Sequence, residues 1–220
     1  FFGDFISVSN TTRENAYDLD GETLLATGFN FSSSHTKSLR KKEMLPNYGY
    51  SLSFLYKDLK LAGDNENQSY LGSYNYTIFL PGIVESNGTK LAVTSEYRPE
   101  DKTAYQMQNK YSPILNYAFS RGYSYEYTPK FTKYSFEYTF PLAYPNIGYK
   151  DWIYTKRIKI NLFHDHTQAR INNENVIYNS EGMEFVIETS TFRKFPLKYG
   201  VSIFRTERDN KTNTSVFLSI

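Results

Sequence analysis

Apolar and polar residues alternate along much of the chain, and this pattern constrains the fold more than any other feature of the sequence. In the segment YGYSLSFLYKDLKL (48–61), aromatic and apolar side chains dominate the even positions through residue 56, and mostly small or polar side chains take the odd ones. A period of two places successive side chains on opposite faces of a β-strand, whereas an amphipathic helix repeats every 3.6 residues. The chain is therefore predicted to be all-β.

Ten strands of this kind are predicted. Most span roughly 9–14 residues, longer than the usual strand of a soluble sheet and suited to a tilted membrane crossing. One connection, residues 99–130, is much longer than the others. The predicted strands cover residues 1–9, 22–34, 48–61, 72–81, 88–98, 131–141, 152–166, 181–192, 196–207 and 213–220.

Alternation alone does not say which face of the sheet points outward. In a soluble sandwich or a lipocalin-like barrel the apolar face would point inward, and in a membrane barrel it would face lipid. The polar faces here mix small residues with charges of both signs, aromatic residues gather near predicted strand ends, and the last strand ends apolar. These features favour a transmembrane antiparallel β-barrel with about ten strands present, forming one domain over residues 1–220.

Composition and motifs exclude several classes of function. The formal net charge of +2 provides no basic field for nucleic acid, and the chain has no cysteine for disulfides, thiolate metal sites or nucleophilic catalysis. In the tripeptide HDH, His164 and His166 share one face of a strand and Asp165 takes the other, so the three cannot converge on one ion. We therefore predict no metal site, no cofactor and no enzymatic activity. An enzymatic barrel would need a serine–histidine or aspartate–histidine constellation near one rim, which nothing in the spacing selects.

Two short basic clusters leave two interpretations open. They are RKK at 40–42 and TKR at 155–157. Such clusters can hold anionic lipid headgroups or a partner protein. They can equally be solvated charges in a loop and on a polar strand face.

A lone arginine stands in the long connection, in the stretch NYAFSRGYSYEY (116–127). Gly122 follows it and indicates an unusual backbone conformation or close packing. Together with two later motifs, this stretch resembles the C-terminal part of the outer-membrane insertase and translocator superfamily, the BamA-like and TamA-like sixteen-stranded barrels. The motifs are SRGY (120–123), SFEYTFPL (135–142) and IKINLFHDHTQA (158–169), in that order.

The resemblance implies a set of contacts for the arginine. In that family a long extracellular loop folds back into the lumen, and its tip arginine pairs with a glutamate and an aspartate on the next two strands. Arg121 matches the tip arginine, Gly122 and Tyr123 match its neighbours, and Glu137 and Asp165 match the two acids. Strand parity independently places both carboxylates on polar faces, where one guanidinium can bridge them. Ser120 departs from the family pattern, which has valine at this position.

The resemblance also implies a function. The 220 residues would be the last ten strands of a sixteen-stranded barrel in a longer protein, with a lumen-folding loop at 99–130. The protein would assist insertion or translocation of proteins at the outer membrane of Gram-negative bacteria, including Bacteroidota. Its partners would be outer-membrane lipids, client proteins and other outer-membrane or periplasmic subunits. The alternative is a structural barrel that anchors a large soluble domain, such as an N-terminal β-propeller, or partner subunits, without insertase activity.

Counting strands also predicts sidedness. If the 99–130 connection is extracellular, the connections 62–71, 167–180 and 208–212 are extracellular as well. The connections 82–87, 142–151 and 193–195 are then periplasmic.

Overall fold

The computed structural model is an all-β structure. It describes residues 2–9, 17–19, 22–37, 43–61, 68–98, 119–123, 128–149, 152–171, 174–192, 194–208 and 210–219. Within these ranges there is no helix that is long and apolar enough to cross a membrane. The strands are β1 (Phe2–Ser9), β2 (Tyr17–Leu19), β3 (Glu22–Lys37), β4 (Gly49–Leu61), β5 (Gln68–Pro81), β6 (Gly88–Tyr97), β7 (Lys130–Ala143), β8 (Ile147–Tyr149), β9 (Ile153–Ile171), β10 (Glu174–Thr191), β11 (Phe195–Thr206) and β12 (Lys211–Ser219).

All the strands belong to one antiparallel sheet. Its order is β1-β3-β4-β5-β6-β7-β9-β10-β11-β12, and the two short strands β2 and β8 pair at the sides of β3 and β9. The prediction of ten antiparallel strands in an all-β chain is confirmed. Strands β1 and β12 are the two ends of the path and do not pair with each other in the described residues, so the sheet is open and not closed into a barrel.

The hairpin of β9 and β10 is longer than predicted. The sequence pattern indicated a polar connection at 167–180, but β9 continues to Ile171 and β10 begins at Glu174. The prediction of a loop there was wrong because the added strand residues are stabilised by distant parts of the chain. Ala169 and Tyr178 on this extension are buried in one cluster with Phe119 and Phe131.

The two faces of the sheet differ in chemistry and in exposure. Residues paired directly across neighbouring strands share a face, and along β9 the residues Asn161, Phe163 and Asp165 are buried while Leu162 and His164 are exposed. The face with buried residues, here called the polar face, includes Ser73, Thr77, Thr94, Thr139, Asn161, Asp165, Thr167, Ser180, Glu188, Ser202 and Thr206. The other, the apolar face, exposes Tyr50, Tyr74, Tyr76, Leu91, Tyr134, Phe136, Leu162, Met183, Phe185, Tyr199, Val201 and Ile203. This is the reverse of a soluble sheet, whose apolar face is the buried one.

Two connecting segments contribute to burial of the polar face. Residues 43–48 lie between β3 and β4, and the backbone oxygen of Glu43 accepts a hydrogen bond of 2.8 Å from Arg157 on β9. Residues 119–123 belong to the long connection between β6 and β7 and contact β9 and β10. The remainder of the predicted 99–130 loop, apart from residues 128–130, lies outside the described residues.

The antiparallel order sorts the connections to two ends of the sheet. The loop end carries the connections 62–67, 98–129, 172–173 and 207–210, and the turn end carries 38–48, 82–87, 144–152 and 192–194. This grouping agrees with the strand count made from the sequence. Which end faces the outside of a cell stays a prediction.

Candidate functional site

The side chain of Arg121 faces three carboxylates on three neighbouring strands. One terminal nitrogen, Nη2, donates a hydrogen bond to Oε1 of Glu137 on β7. Nε lies 3.6 Å from Oδ2 of Asp165 on β9, and Nη1 lies 3.5 Å from Oε1 of Glu184 on β10. The backbone nitrogen of Arg121 also donates to Oδ2 of Asp165 at 3.2 Å. The structure thus brings together the three residues that the sequence motifs singled out, and it adds Glu184.

An aromatic ring supports the guanidinium from the sheet. Phe163 lies opposite Glu137 in the register of β7 and β9, and its ring centroid is 4.0 Å from the guanidinium carbon of Arg121. A cation above an aromatic face is attracted by the ring quadrupole, more strongly where water is partly excluded. The Arg121 side chain is only 26% exposed, so this contact adds to the ion pairs in holding the arginine in place.

Two lysines complete a charge-balanced cluster. Lys133 places Nζ 3.2 Å from Oδ2 of Asp165, and Lys90 places Nζ 3.4 Å from Oε2 of Glu137. With Arg121 these lysines give three cations against three carboxylates. The Asp165 side chain is 0% exposed, and a carboxylate buried to that extent is costly unless it is paired and hydrogen-bonded. Arg121 and Lys133 both provide that pairing.

Neutral side chains orient the third carboxylate. The hydroxyl of Thr139 donates to Oδ1 of Asn161 at 2.9 Å, and Nδ2 of Asn161 donates to Oε2 of Glu184, also at 2.9 Å. Oε1 of Glu184 is the oxygen that faces Arg121. This chain of hydrogen bonds across β7, β9 and β10 therefore orients Glu184 so that its Oε1 faces the guanidinium.

Gly122 turns the segment against the sheet. Its φ of 89° is a backbone conformation that residues with a Cβ rarely adopt. A Cβ at this position would also collide with the ring of Phe204 on β11. The turn is closed by a hydrogen bond of 3.2 Å from the backbone nitrogen of Tyr123 to the oxygen of Ser120. Glycine thus suits the position after Arg121 for two reasons: the backbone has a positive φ there, and it lies close to Phe204.

Aromatic residues on either side of Arg121 hold the segment at the loop end. The ring of Phe119 stacks on Tyr178 with centroids 5.2 Å apart and meets Phe131 edge-on at 5.4 Å. Tyr123 packs against Tyr178 at 5.1 Å, and its hydroxyl donates to the backbone oxygen of Asn179 at 3.1 Å. These contacts connect the segment to β7 and β10.

Ser120, which stands where the family that the motif resembles prefers valine, has a structural role of its own. Its side chain is fully buried, and its hydroxyl donates to the backbone oxygen of Tyr178 at 2.6 Å. Thr167 lies 2.8 Å from the same hydroxyl and accepts a 3.1 Å hydrogen bond from the Ser120 backbone nitrogen. Valine can pack in such a place but cannot donate to the oxygen of Tyr178.

Sequence reasoning missed Glu184, Lys133 and Phe163. The signal that could have found them is the same parity that placed Glu137 and Asp165, since all five side chains belong to the polar face. Parity gives the face of a strand residue but not its distance from a loop. The three residues therefore could not be linked to Arg121 without the position of residues 119–123.

The histidines of HDH lie away from this cluster. His164 is on the apolar face, and His166 holds Asn179 through a 2.6 Å contact between Nδ1 and Oδ1. Among the residues that the structure describes, no group of three or more histidine or acidic side chains is arranged so that it could hold a metal ion.

A second arginine lies on the polar face at the turn end. Nε of Arg157 donates to Oε2 of Glu188, which lies directly opposite it on β10, and Nζ of Lys159 lies 2.7 Å from Oε1 of the same carboxylate. Burial raises the pKa of the nearby Tyr144 hydroxyl above its ordinary value, and the positive charge of Arg157 opposes that shift. This cluster joins adjacent strands and the 43–48 segment.

Comparison of the chain with protein-family models, with curated proteins and with solved structures gives no match. The resemblance to the insertase and translocator superfamily, and the roles that it implies for Arg121, Glu137 and Asp165, therefore stay predictions. The geometry described above is independent of that resemblance.

Proposed function

We propose that this chain forms part of the wall of an outer-membrane β-barrel of the insertase and translocator type, which assists other proteins in entering or crossing the bacterial outer membrane. The observation that carries the proposal is the anchoring of residues 119–123 on the polar face through Arg121. A connection held in this way lies where the lumen of such a barrel would be, and its arginine joins three wall strands.

The membrane part of the proposal rests on the apolar face. Soluble monomers rarely expose large contiguous apolar patches, because such surface is costly in water. Here most strands from β4 to β11 contribute large exposed apolar residues to one side of the sheet. In a membrane the apolar face contacts the lipid chains, and the alternate polar residues face a wet interior, as in transmembrane β-barrels.

The open edges of the sheet support the insertase part. An unpaired edge presents backbone donors and acceptors that cannot stay unsatisfied within a membrane. Strands β1 and β12 each have one side without a described partner. Further strands of the same barrel, or a strand of a client protein, would satisfy these groups by the pairing through which an extended segment adds to a sheet.

Reconstitution tests the proposal. The protein is inserted into liposomes, and the rate at which an unfolded outer-membrane barrel protein becomes protease-protected is compared with the rate in empty liposomes. The wild type should accelerate insertion, and Arg121→Ala should reduce the acceleration. Arg205→Ala is the matched control, because this exposed arginine contacts Asn210 at the loop end and none of the clustered carboxylates.

The outcomes separate the two functional classes. A protein that does not integrate into the liposomes contradicts the membrane part. Integration without any acceleration contradicts insertase activity and favours the alternative, a structural barrel that anchors a soluble domain or partner subunits.

A further inference from the structure

Two exposed cations lie directly opposite each other at the loop end of the apolar face. Lys130 at the start of β7 is the register partner of Arg170 near the end of β9. Even spacing from Tyr134 on β7 and from Leu162 on β9 places both cations on the same face as those apolar residues. Like charges directly opposite each other on neighbouring strands are destabilising. An anion held between the two side chains would remove this repulsion.

A cleft of about 370 Å³ surrounds the two cations. Among the described residues that line it there is no carboxylate. The lining residues are Lys130, Thr132, Gln168, Ala169, Arg170 and Asn175. Ammonium, guanidinium, amide and hydroxyl groups can all donate hydrogen bonds, so the cleft offers two charges and three neutral donors to one oxyanion.

Lys130 packs against an aromatic ring and has no described acidic partner. Its Nζ lies 5.8 Å from the ring centroid of Tyr97, the residue opposite it on β6. Tyr97 stacks in turn on Tyr70, with ring centroids 6.0 Å apart. Within the described part of the chain, Lys130 makes no ion pair with a carboxylate. Its charge is therefore available to an anion in the cleft.

An apolar groove of about 310 Å³ continues from the cleft along the same face. On β7, Thr132 of the cleft is followed by Tyr134 of the groove, and on β9, Gln168 of the cleft is preceded by His166 of the groove. The apolar lining consists of two cross-strand rows on β5, β6 and β7, which are Tyr76, Val93 and Tyr134, and Ile78, Leu91 and Phe136. Cations and apolar groove are thus continuous on one side of the sheet.

We propose that the cleft binds the phosphate of an anionic phospholipid, one acyl chain of which lies in the groove. The inference rests on the proposed membrane location of the apolar face. The planar guanidinium of Arg170 can engage two phosphate oxygens, and Lys130 adds a second positive charge beside it. Basic residues grouped at a membrane surface attract anionic lipids. Headgroup and chain both lie on the apolar face, so one lipid can occupy both parts.

A tryptophan beside the cleft allows a direct experiment. The only tryptophan of the chain, Trp152, is at the turn end, and the reporter protein is therefore Trp152→Phe/Ile177→Trp. Ile177 is exposed on the apolar face, opposite Gln168 of the cleft. The reporter protein is reconstituted in phosphatidylcholine vesicles with a small fraction of phosphatidylglycerol. Either the phosphatidylglycerol or an equal amount of the phosphatidylcholine carries bromine on its acyl chains, which quenches tryptophan fluorescence.

Brominated phosphatidylglycerol should quench the reporter more strongly than brominated phosphatidylcholine. Adding Lys130→Gln should lower this preference by up to about fivefold, whereas Lys130→Arg, which keeps the charge, should retain it. The double variant Lys130→Gln/Arg170→Gln should abolish the preference. The matched control, Arg205→Gln/Lys211→Gln, removes the same charge from exposed residues at the same end of the sheet and should retain it.

Circular dichroism of each variant checks that the sheet is kept. If the double variant at the cleft fails to fold, Lys130→Gln beside Lys130→Arg provides the same comparison.

Several results would overturn the inference. Equal quenching by the two brominated lipids means that there is no selective site, while the membrane location stands. An unchanged preference in Lys130→Gln/Arg170→Gln means that these cations do not form the site, and its loss in the control as well means a general charge effect. If inorganic phosphate abolishes the preference, the cleft takes free phosphate in place of a lipid. Absence of quenching by either lipid contradicts the membrane location itself.

Discussion

The two arginine clusters on the polar face use the same chemistry in different ways. Arg157 lies on β9 and pairs with Glu188, the residue directly opposite it on β10, so its ion pair joins strands that the backbone already joins. Arg121 belongs to a connection and contacts carboxylates on β7, β9 and β10. The first cluster reinforces the sheet and reaches the 43–48 segment through one hydrogen bond to a backbone oxygen, whereas the second fixes residues 119–123 on the sheet through ion pairs to three strands.

The difference lies in what remains when the arginine is lost. Glu188 would keep Lys159, so its charge would stay paired. Without Arg121, the buried Asp165 would keep Lys133, but Glu184 would lose its only described ion pair, and residues 119–123 would lose their central contact. Removal of the loop-borne arginine should therefore have the larger effect on both stability and function.

Arg121→Ala is expected to have the largest effect. Breaking a buried ion pair costs about 3–5 kcal/mol. Because Arg121 is partly exposed, we expect the free energy of unfolding to fall by about 3 kcal/mol or less. Urea unfolding of the protein in detergent measures the loss, and limited proteolysis within 99–130 measures release of the loop. Arg121→Lys should recover only part, because an ammonium cannot bridge several acids as a guanidinium does. An unchanged proteolysis pattern for Arg121→Ala would show that this arginine does not hold the segment.

Gly122→Ala should come next, because it disturbs the same segment without changing any charge. A positive φ and the collision with Phe204 together should cost about 1–3 kcal/mol and expose the loop to protease. Gly72→Ala on β5 is the matched control, since a Cβ there meets no atom within 4 Å. Equal effects of the two substitutions would contradict the role given to the turn.

Arg157→Ala tests the other side of the comparison. It removes a charged hydrogen bond to Glu188 and one to the backbone oxygen of Glu43, and we expect a loss of about 2 kcal/mol in the free energy of unfolding, since Lys159 keeps Glu188 paired. Proteolysis within 99–130 should stay as in the wild type. Cleavage there in this variant would show that the two clusters are coupled and would remove the distinction between them.

Ser120→Ala should have the smallest effect. It removes the hydroxyl that donates to the backbone oxygen of Tyr178. Loss of one neutral hydrogen bond should lower the free energy of unfolding by about 1 kcal/mol. Ser120→Val then shows whether the residue that the family prefers fits this site. Thermal unfolding of both variants beside the wild type measures the difference, and a loss as large as that of Arg121→Ala would mean that the hydroxyl, and not the guanidinium, holds the segment.

Much of the sheet could be predicted because a period of two is a local property. The segment 48–56 alternates so regularly that both its strand and its two faces follow from the residue types. The same reasoning failed at 167–180, where polar residues are strand because Tyr178 packs on Phe119, a residue 59 positions earlier in the chain. Local alternation contains no information about such a contact.

The candidate site was accessible from the sequence only in part. The motif around Arg121, together with strand parity, pointed to Glu137 and Asp165, and the structure places both beside the guanidinium. Glu184 and Lys133 were missed because they carry no motif, and because charges on strand faces are common in such a chain. Finding them requires the position of residues 119–123 along the strands.

The balance of charge in the Arg121 cluster has a consequence for permeation. Three cations and three carboxylates cluster around Arg121 on the polar face, so they present little net charge to a small ion passing nearby. Pores select ions by rings of charge of a single sign. A passage along this face would therefore conduct anions and cations with little discrimination at the level of Arg121.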